Sequence, residues 1–418
     1  MTASGAAPAR LGGGLPVARI SSPSSPGQYA RGEAVYLTVA RWIGIVFCFV
    51  FVLELTCRIE DWVMYRTPVL SRYTSIEDLV VRDADGMHGR PNARYQKWIM
   101  NRLGLRGPPA NVVPPPGSVR VIVVGASETF GLMESPGREY PRQLEDSLAR
   151  RGALVCPLPN HGRFEVLNAG FAGMGMPTID QDVLNRLRRL KPDMIVVYPS
   201  AAAYLEETAP VAARPDSSGP RAQLSWVRAL HPRFIARLRE QIKQIIPDAL
   251  KTRLRSIQTA SEVRNQPAGW RFTSIPEDRL RRFDSDLRHL VATIRAVGAI
   301  PIVVTHANVF LGRPDIDADA LQAWEKFYFR ATGPTIIAFD SAARASTLAA
   351  GTDLRVPVVD AAARLARGPR QGFGDMVHFT DLGSAEMADI LASSILSVAR
   401  DAGRCGVRDA TSSDRPHP

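Results

Sequence analysis

Val119-Arg120-Val121-Ile122-Val123-Val124 runs directly into Gly125-Ala126-Ser127-Glu128-Thr129. The first six residues are β-branched and almost wholly apolar, the composition of a parallel strand buried on both faces. The run stops at Gly125, and a serine follows two residues later, where a helix can begin. Such a turn lifts a hydroxyl above the carboxyl edge of an open α/β sheet, where these sheets build their sites. A serine hydroxyl needs a base to become a nucleophile. A candidate lies far downstream, in Asp375-Met376-Val377-His378-Phe379-Thr380-Asp381. Serine, aspartate and histidine can form a triad in any chain order, because the triad is defined by roles.

Further apolar runs supply the rest of a sheet. Phe164–Leu167 ends in Asn168-Ala169-Gly170-Phe171-Ala172-Gly173, and Asp193–Tyr198, residues 299–305 and residues 356–359 follow. With helical stretches around Pro141–Arg150 and Ile179–Leu190 (Thr178 placed as its cap), the expected fold class is α/β: a doubly wound, mostly parallel five-stranded sheet. No internal repeat is visible. A long insertion, about residues 206–275, carries Trp226, Leu230, Phe234, Leu238, Ile242, Ile245 and Ile246 at helical spacing, with Arg228, Arg233, Arg237, Arg239 and Lys243 interleaved. This predicts a helix packing its Trp226/Phe234/Leu238 face on the domain and leaving Arg237 and Arg239 in solvent. The alternative is a basic helix lying on a bilayer or over the site.

Residues 1–34 are rich in Gly, Ala, Ser and Pro and lack periodicity, which predicts a disordered tail; residues 403–418 are read the same way. Val35–Cys57 is apolar, and Ile43–Leu53 is uninterrupted by any charge. A span needs about 20 residues, and this segment reaches that length with Arg41 and Glu54 near its ends. It is read as a transmembrane helix, the other reading being a buried core helix. Arg10, Arg19, Arg31 and Arg41 precede it, whereas Arg58 follows together with Glu60 and Asp61. The excess of basic residues places the tail in the cytoplasm and the rest of the chain outside it, in the periplasm of a bacterium. Residues 58–117 read as a connector ending in Pro114-Pro115-Pro116-Gly117, with the catalytic-type domain beginning at Ser118.

The formal charge of +11 over 418 residues is almost entirely arginine, lysine being confined to Lys97, Lys191, Lys243, Lys251 and Lys326. The basic residues are dispersed and lack the aromatic interleaving of a single-strand binder, so nucleic acid is not an expected partner. An anionic membrane or glycan fits the charge equally well. Cys48, Cys57, Cys156 and Cys405 show no metal-ligand spacing, and no metal or cofactor is expected. Cys156 and Cys405 can pair outside the cytoplasm, though nothing in the sequence demands it.

Taken together, the blocks at Ser127, at Asn168–Gly173, after the strand Ile195–Tyr198, and at Asp375–His378 resemble the SGNH (GDSL-type) hydrolase superfamily over residues 118–400. The stretch Asn101-Arg102-Leu103-Gly104-Leu105-Arg106-Gly107 is similar to the segment that precedes the domain in membrane-anchored or secreted members from polysaccharide gene clusters. The resemblance implies Ser127 as nucleophile, His378 as base and Asp375 as its orienting acid, with the backbone N–H groups of Ser127 and Gly173 as oxyanion donors. The chain departs from the family at two points. Gly-Asp-Ser appears as Gly125-Ala126-Ser127, losing an aspartate outside the triad. Gly-x-Asn-Asp appears as Ser200-Ala201-Ala202-Ala203, putting Ala202 where the oxyanion asparagine is expected. Loss of one such donor costs about 3 kcal/mol, or 100- to 1,000-fold in rate. Ser200 or Tyr204 can replace it, two N–H donors can suffice, or the site binds without turnover. His306, at a strand end, is a candidate glycan contact or a core residue; Asp360 is given no role.

The implied function is a membrane-anchored serine esterase or O-acetyltransferase acting on acyl, chiefly acetyl, esters of carbohydrate. A membrane acyl-transfer protein is a candidate partner. The rival is a catalytically weak or inactive member that binds glycan or assists envelope polysaccharide assembly. A cytosolic lipase-like enzyme is excluded if Val35–Cys57 spans a membrane.

Overall fold

The computed structural model describes residues 26–73, 75–206, 233–245, 248–264, 266–313 and 317–405. The chain divides into two compact units after Thr56. The first is carried by helix α1 (Pro26–Tyr65), which begins earlier and ends later than the expected 35–57. Residues 26–34, read as disordered tail, are therefore helical, and residues 1–25 lie outside the described residues. Val35–Tyr65 is long and apolar enough to cross a membrane, with mean hydropathy 2.2 and none of that window buried. Trp42, Phe47, Phe49 and Phe51 along it are all exposed.

In the second unit the strands fall close to their expected places: β5 (Val119–Gly125), β6 (Phe164–Asn168), β7 (Met194–Tyr198), β8 (Ile300–Val304) and β9 (Val358–Val359). Four short strands precede them, β1 (Val80–Asp83), β2 (Gly86–Gly89), β3 (Arg94–Tyr95) and β4 (Trp98–Ile99), paired as two small antiparallel ribbons. The main sheet has the order β6-β5-β7-β8-β9, and every neighbour pairs in parallel. Its chain reverses winding direction at β5, so a crevice opens at the carboxyl ends of β5 and β7.

Successive side chains of β5 point to opposite faces. Ile122 and Val124 join one core with α4 (Met176–Asn185), α7 (Glu277–Ala296) and α9 (Gly333–Leu354), through Ile179, Phe283, Leu287 and Phe339. Val121 and Val123 join the other core with α3 (Tyr140–Val155) and α11 (Asp381–Asp401), through Leu144, Leu148, Met387 and Leu391. The doubly wound sheet is thus buried on both sides, which explains why β5 reads as a continuous apolar run. Thr178 lies inside the first turn of α4 rather than capping it; its hydroxyl accepts from the Gly175 N–H at 3.0 Å.

Two expectations are corrected. Residues 77–107 are not a free connector: Leu79, Met87, Met100 and Leu105 are buried in the sheet's own core, and the compact unit begins at Cys57. Among the described residues the insertion forms α5 (Arg233–Ile245) and α6 (Asp248–Arg264); Phe234 is half-buried, but Leu238 and Ile242 beyond it are not packed down. Leu238 is 51% exposed and Ile242 48%; Trp226, Arg228 and Leu230 lie outside the described residues. Charge holds α5 instead. Arg233 and Arg237 each donate to Asp61 at 2.6 Å, and Arg237 also meets Glu60 at 2.5 Å, so Arg237 is not a free solvent-facing charge.

Cys156, at the end of α3, is disulfide-bonded to Cys405, beyond α11. The sequence separation of 249 makes this a cross-link between α3, early in the α/β domain, and the end of α11.

Candidate active site

Gly125 ends β5 because nothing larger fits: a Cβ there would lie 2.1 Å from Thr129 Oγ1 and 2.8 Å from the Tyr198 carbonyl. That close approach lets the chain turn at once into the short helix α2 (Ser127–Phe130). Ser127 is its first residue and is half-buried. No side chain caps this helix, so its first N–H groups have no acceptor within the helix.

The loop after β6 packs against α2. Asn168 donates from Nδ2 to the Thr129 carbonyl at 2.9 Å and accepts at Oδ1 from the Gly170 N–H at 3.0 Å. The loop then reaches Gly173, which sits at φ +83° with open space around it. Its exposed N–H has no hydrogen-bond partner among the described residues.

His378 and Asp375 form a tight pair. His378 Nδ1 lies 2.7 Å from Asp375 Oδ2, while Asp375 Oδ1 accepts from the backbone N–H of Val377 at 2.9 Å and of His378 at 2.8 Å. The three-residue spacing thus closes a local ring that fixes both side chains. Burial opposes the charged form of each, but the hydrogen bond between them prevails: Asp375 is held below the usual carboxylate range and His378 above the usual imidazole range. The charge of Glu128 adds to the upward shift on His378. The same segment is tied to the chain beyond α2 where Ser135 N–H donates to Asp381 Oδ1 at 2.7 Å. His378 Nε2 is buried without a hydrogen-bond partner. The Ser127 hydroxyl donates instead to Glu128 Oε2 at 3.2 Å.

The other expected contacts fall elsewhere. His306 is not open to a glycan: it is 4% exposed, with Nδ1 2.7 Å from Asp340 Oδ1 and Nε2 3.3 Å from Glu128 Oε1. Burial disfavours its cation, yet the two carboxylates outweigh that and push its pKa up to about 10. Tyr204 donates its hydroxyl to Asp286 at 2.8 Å and packs edge-on against Phe283, which takes it out of the oxyanion site. The Ser200 side chain lies beside the Tyr328 hydroxyl. Ala202 is 1% exposed and faces the core. Asp360 is bound by Arg344 and caps α10 (Ala361–Leu365). No cluster of metal-binding side chains occurs among the described residues.

Three contributors were not singled out from the sequence. Glu128 stands in the quoted turn between Ser127 and Thr129, but its partner His306, and Asp340 beyond it, lie far off in the chain. Arg106 donates to the carbonyls of Phe130 and Gly131 and pairs with Glu139 at 3.3 Å. Asn168 stood inside a quoted block without a role of its own.

No family model matches the chain, and no curated protein matches it by sequence. Among solved structures the chain is similar to an α/β hydrolase from the metagenome of Lake Arreo, Spain, at 13% identity and TM-score 0.38 over 66% of this chain and 94% of that one. It is also similar to a lipase/acylhydrolase from Enterococcus faecalis, at 14% identity and TM-score 0.37 over 70% and 100%. An acetylxylan esterase from Geobacillus stearothermophilus matches at 14% identity and TM-score 0.37 over 67% and 95%. Likeness at this level assigns no chemistry to the chain, which rests on the side chains above.

Proposed function

We propose that the protein is a membrane-anchored, extracytoplasmic SGNH-type serine esterase or O-acetyltransferase that acts on acyl esters of carbohydrate. The observation that carries this reading is the Asp375–His378 pair, 2.7 Å apart, whose outer ring nitrogen Nε2 has no partner. Asp375 selects the tautomer that leaves Nε2 free to accept a proton. Ser127 Oγ attacks the acyl carbon while His378 takes its proton. The tetrahedral oxyanion is held by the N–H groups of Ser127 and Gly173. His378 then returns the proton to the departing alcohol, leaving an acyl-serine. Water resolves that ester in hydrolysis; a sugar hydroxyl resolves it in transfer, and either attacker gives its proton to His378. With Ala202, Tyr204 and Ser200 turned to other tasks, the oxyanion has backbone donors alone, which predicts slow chemistry.

The extracytoplasmic placement is supported by the basic residues ahead of the apolar helix and by the Cys156–Cys405 bond, a linkage of oxidising compartments. A carbohydrate ester, a partner acyl-transfer membrane protein and the absence of any cofactor are parts of the same proposal.

The test is labelling of Ser127 by a fluorophosphonate, together with release of acetate from acetylated oligosaccharides. His378→Ala is expected to abolish both and Asp375→Asn to weaken both. Faster acetate loss from the enzyme when a glycan acceptor is added identifies transfer. A folded protein whose Ser127 is neither labelled nor acylated supports the glycan-binding reading instead, which the resting Ser127–Glu128 contact also favours.

A further inference from the structure

Glu128, next to the proposed nucleophile, is 2% exposed and divides its two oxygens. Oε2 accepts from Ser127 Oγ at 3.2 Å, and Oε1 faces His306 Nε2 at 3.3 Å. Beyond it, His306 Nδ1 meets Asp340 Oδ1 at 2.7 Å, and Asn308 donates from Nδ2 to Asp340 Oδ2 at 2.7 Å. The tilted ring of Tyr198 lies 5.5 Å from that of His306. Two buried carboxylates and one buried imidazole thus form a line from α9, through the loop after β8, to the hydroxyl on α2. A Ser-His-Asp triad has no need of this second acid.

We propose that Glu128 is a positioning residue for the nucleophile: it holds the resting Ser127 hydroxyl away from His378, and His306 and Asp340 hold Glu128 in place. The proposal rests on the esterase or transferase reading of the site. In this reading Ser127 has two acceptors, Glu128 Oε2 at rest and the unpartnered His378 Nε2 during attack. Binding of the acyl group in the oxyanion site favours the second.

The charge of Glu128 also reaches the base. The titratable groups facing His378 are Asp375 from its own loop, Glu128 from α2 and Glu134 from the turn beyond α2, whose carboxyl burial pushes up to about 7. Those facing Glu128 are His306 and His378; Tyr140, Tyr198 and Tyr328 also surround it, their hydroxyls kept neutral by burial. Burial pushes the Glu128 carboxyl up, but the bond and charge of His306 outweigh this and keep it ionised. An ionised Glu128 stabilises imidazolium at His378.

The experiment compares wild type with Glu128→Gln and Glu128→Asp, by kcat/KM against pH and by NMR titration of the His378 ring nitrogens. The neutral Gln variant is expected to lower the His378 pKa and the acid limb of kcat/KM by about one pH unit. The Asp variant, which keeps the charge, is expected to restore much of both. Should Glu128→Gln fail to fold, His306→Gln reads the same coupling, because a buried Glu128 without its cation takes up a proton and His378 again titrates lower. An unmoved His378 titration in a folded variant overturns the proposal, even if the enzyme turns over. A shifted titration in a protein without acyl transfer keeps the coupling of Glu128 to His378 and removes the esterase reading.

Discussion

The guanidinium of Arg106 lies 5.0 Å over the ring of Phe130 and donates to that residue's carbonyl, closing the end of the helix that Ser127 begins. A residue expected to sit in a connector therefore sets the floor of the candidate site. Its other partner, Glu139, is equally buried. Arg106→Leu leaves that carboxylate uncompensated and is expected to cost about 3–5 kcal/mol in urea unfolding. The double variant Arg106→Leu/Glu139→Leu is expected to recover most of the loss, since no buried charge then stands alone.

Truncation follows from the same integration. Removing residues 1–56 is expected to release a soluble folded protein, because the compact unit begins at Cys57 and retains Asp61, the acceptor of both Arg233 and Arg237. Beginning the chain at Ser118 removes Leu79, Leu105 and Arg106 from the core and is expected to give no cooperative thermal transition. Circular dichroism melts of the two products distinguish these outcomes.

Ala202→Asn would supply in sequence, but not in space, the oxyanion asparagine that the SGNH resemblance implies. At 1% exposure within the core, the added amide has no partner waiting for it. The expected result is a loss of about 1–3 kcal/mol in stability and no gain in the rate of acetyl-ester hydrolysis. A folded variant with raised turnover would show that the short helical turn after β7 reorients.

Glu134 predicts a pH dependence of stability. Burial pushes its carboxyl up to about 7, although the Ser384 hydroxyl donates to it at 2.7 Å and favours the ionised form. Between the unfolded value of 4.5 and about 7, the folded protein holds a proton that the unfolded chain has released. Its contribution is fully present below that window and is lost as pH rises through it, by on the order of 3 kcal/mol. Glu134→Gln stays neutral throughout. The stability of wild type relative to this variant is expected to fall from pH 4.5 to 7.5 in urea titrations, and a flat difference would place the Glu134 titration outside that range.

The sequence by itself determined the parts governed by short range. The apolar β-branched runs specify the buried parallel strands, because a strand covered on both faces has no polar side to show. The spacing Asp375-x-x-His378 specifies its own hydrogen-bonded ring, because both residues lie within one turn. The apolar stretch after residue 35 is legible for the same reason. Tertiary structure alone decided what holds Glu128 beside Ser127. Glu128 and His306 are 178 residues apart, and Cys156 and Cys405 are 249 apart. Neither pairing leaves a periodicity or a spacing to read. Leu238 is exposed on a helix whose Arg233 and Arg237 meet Asp61; helical spacing reports which residues share a face without reporting what covers it. His306 stood open between a glycan contact and a core residue, because a strand end serves either; folding set Glu128 and Asp340 against its buried ring and made it a core residue.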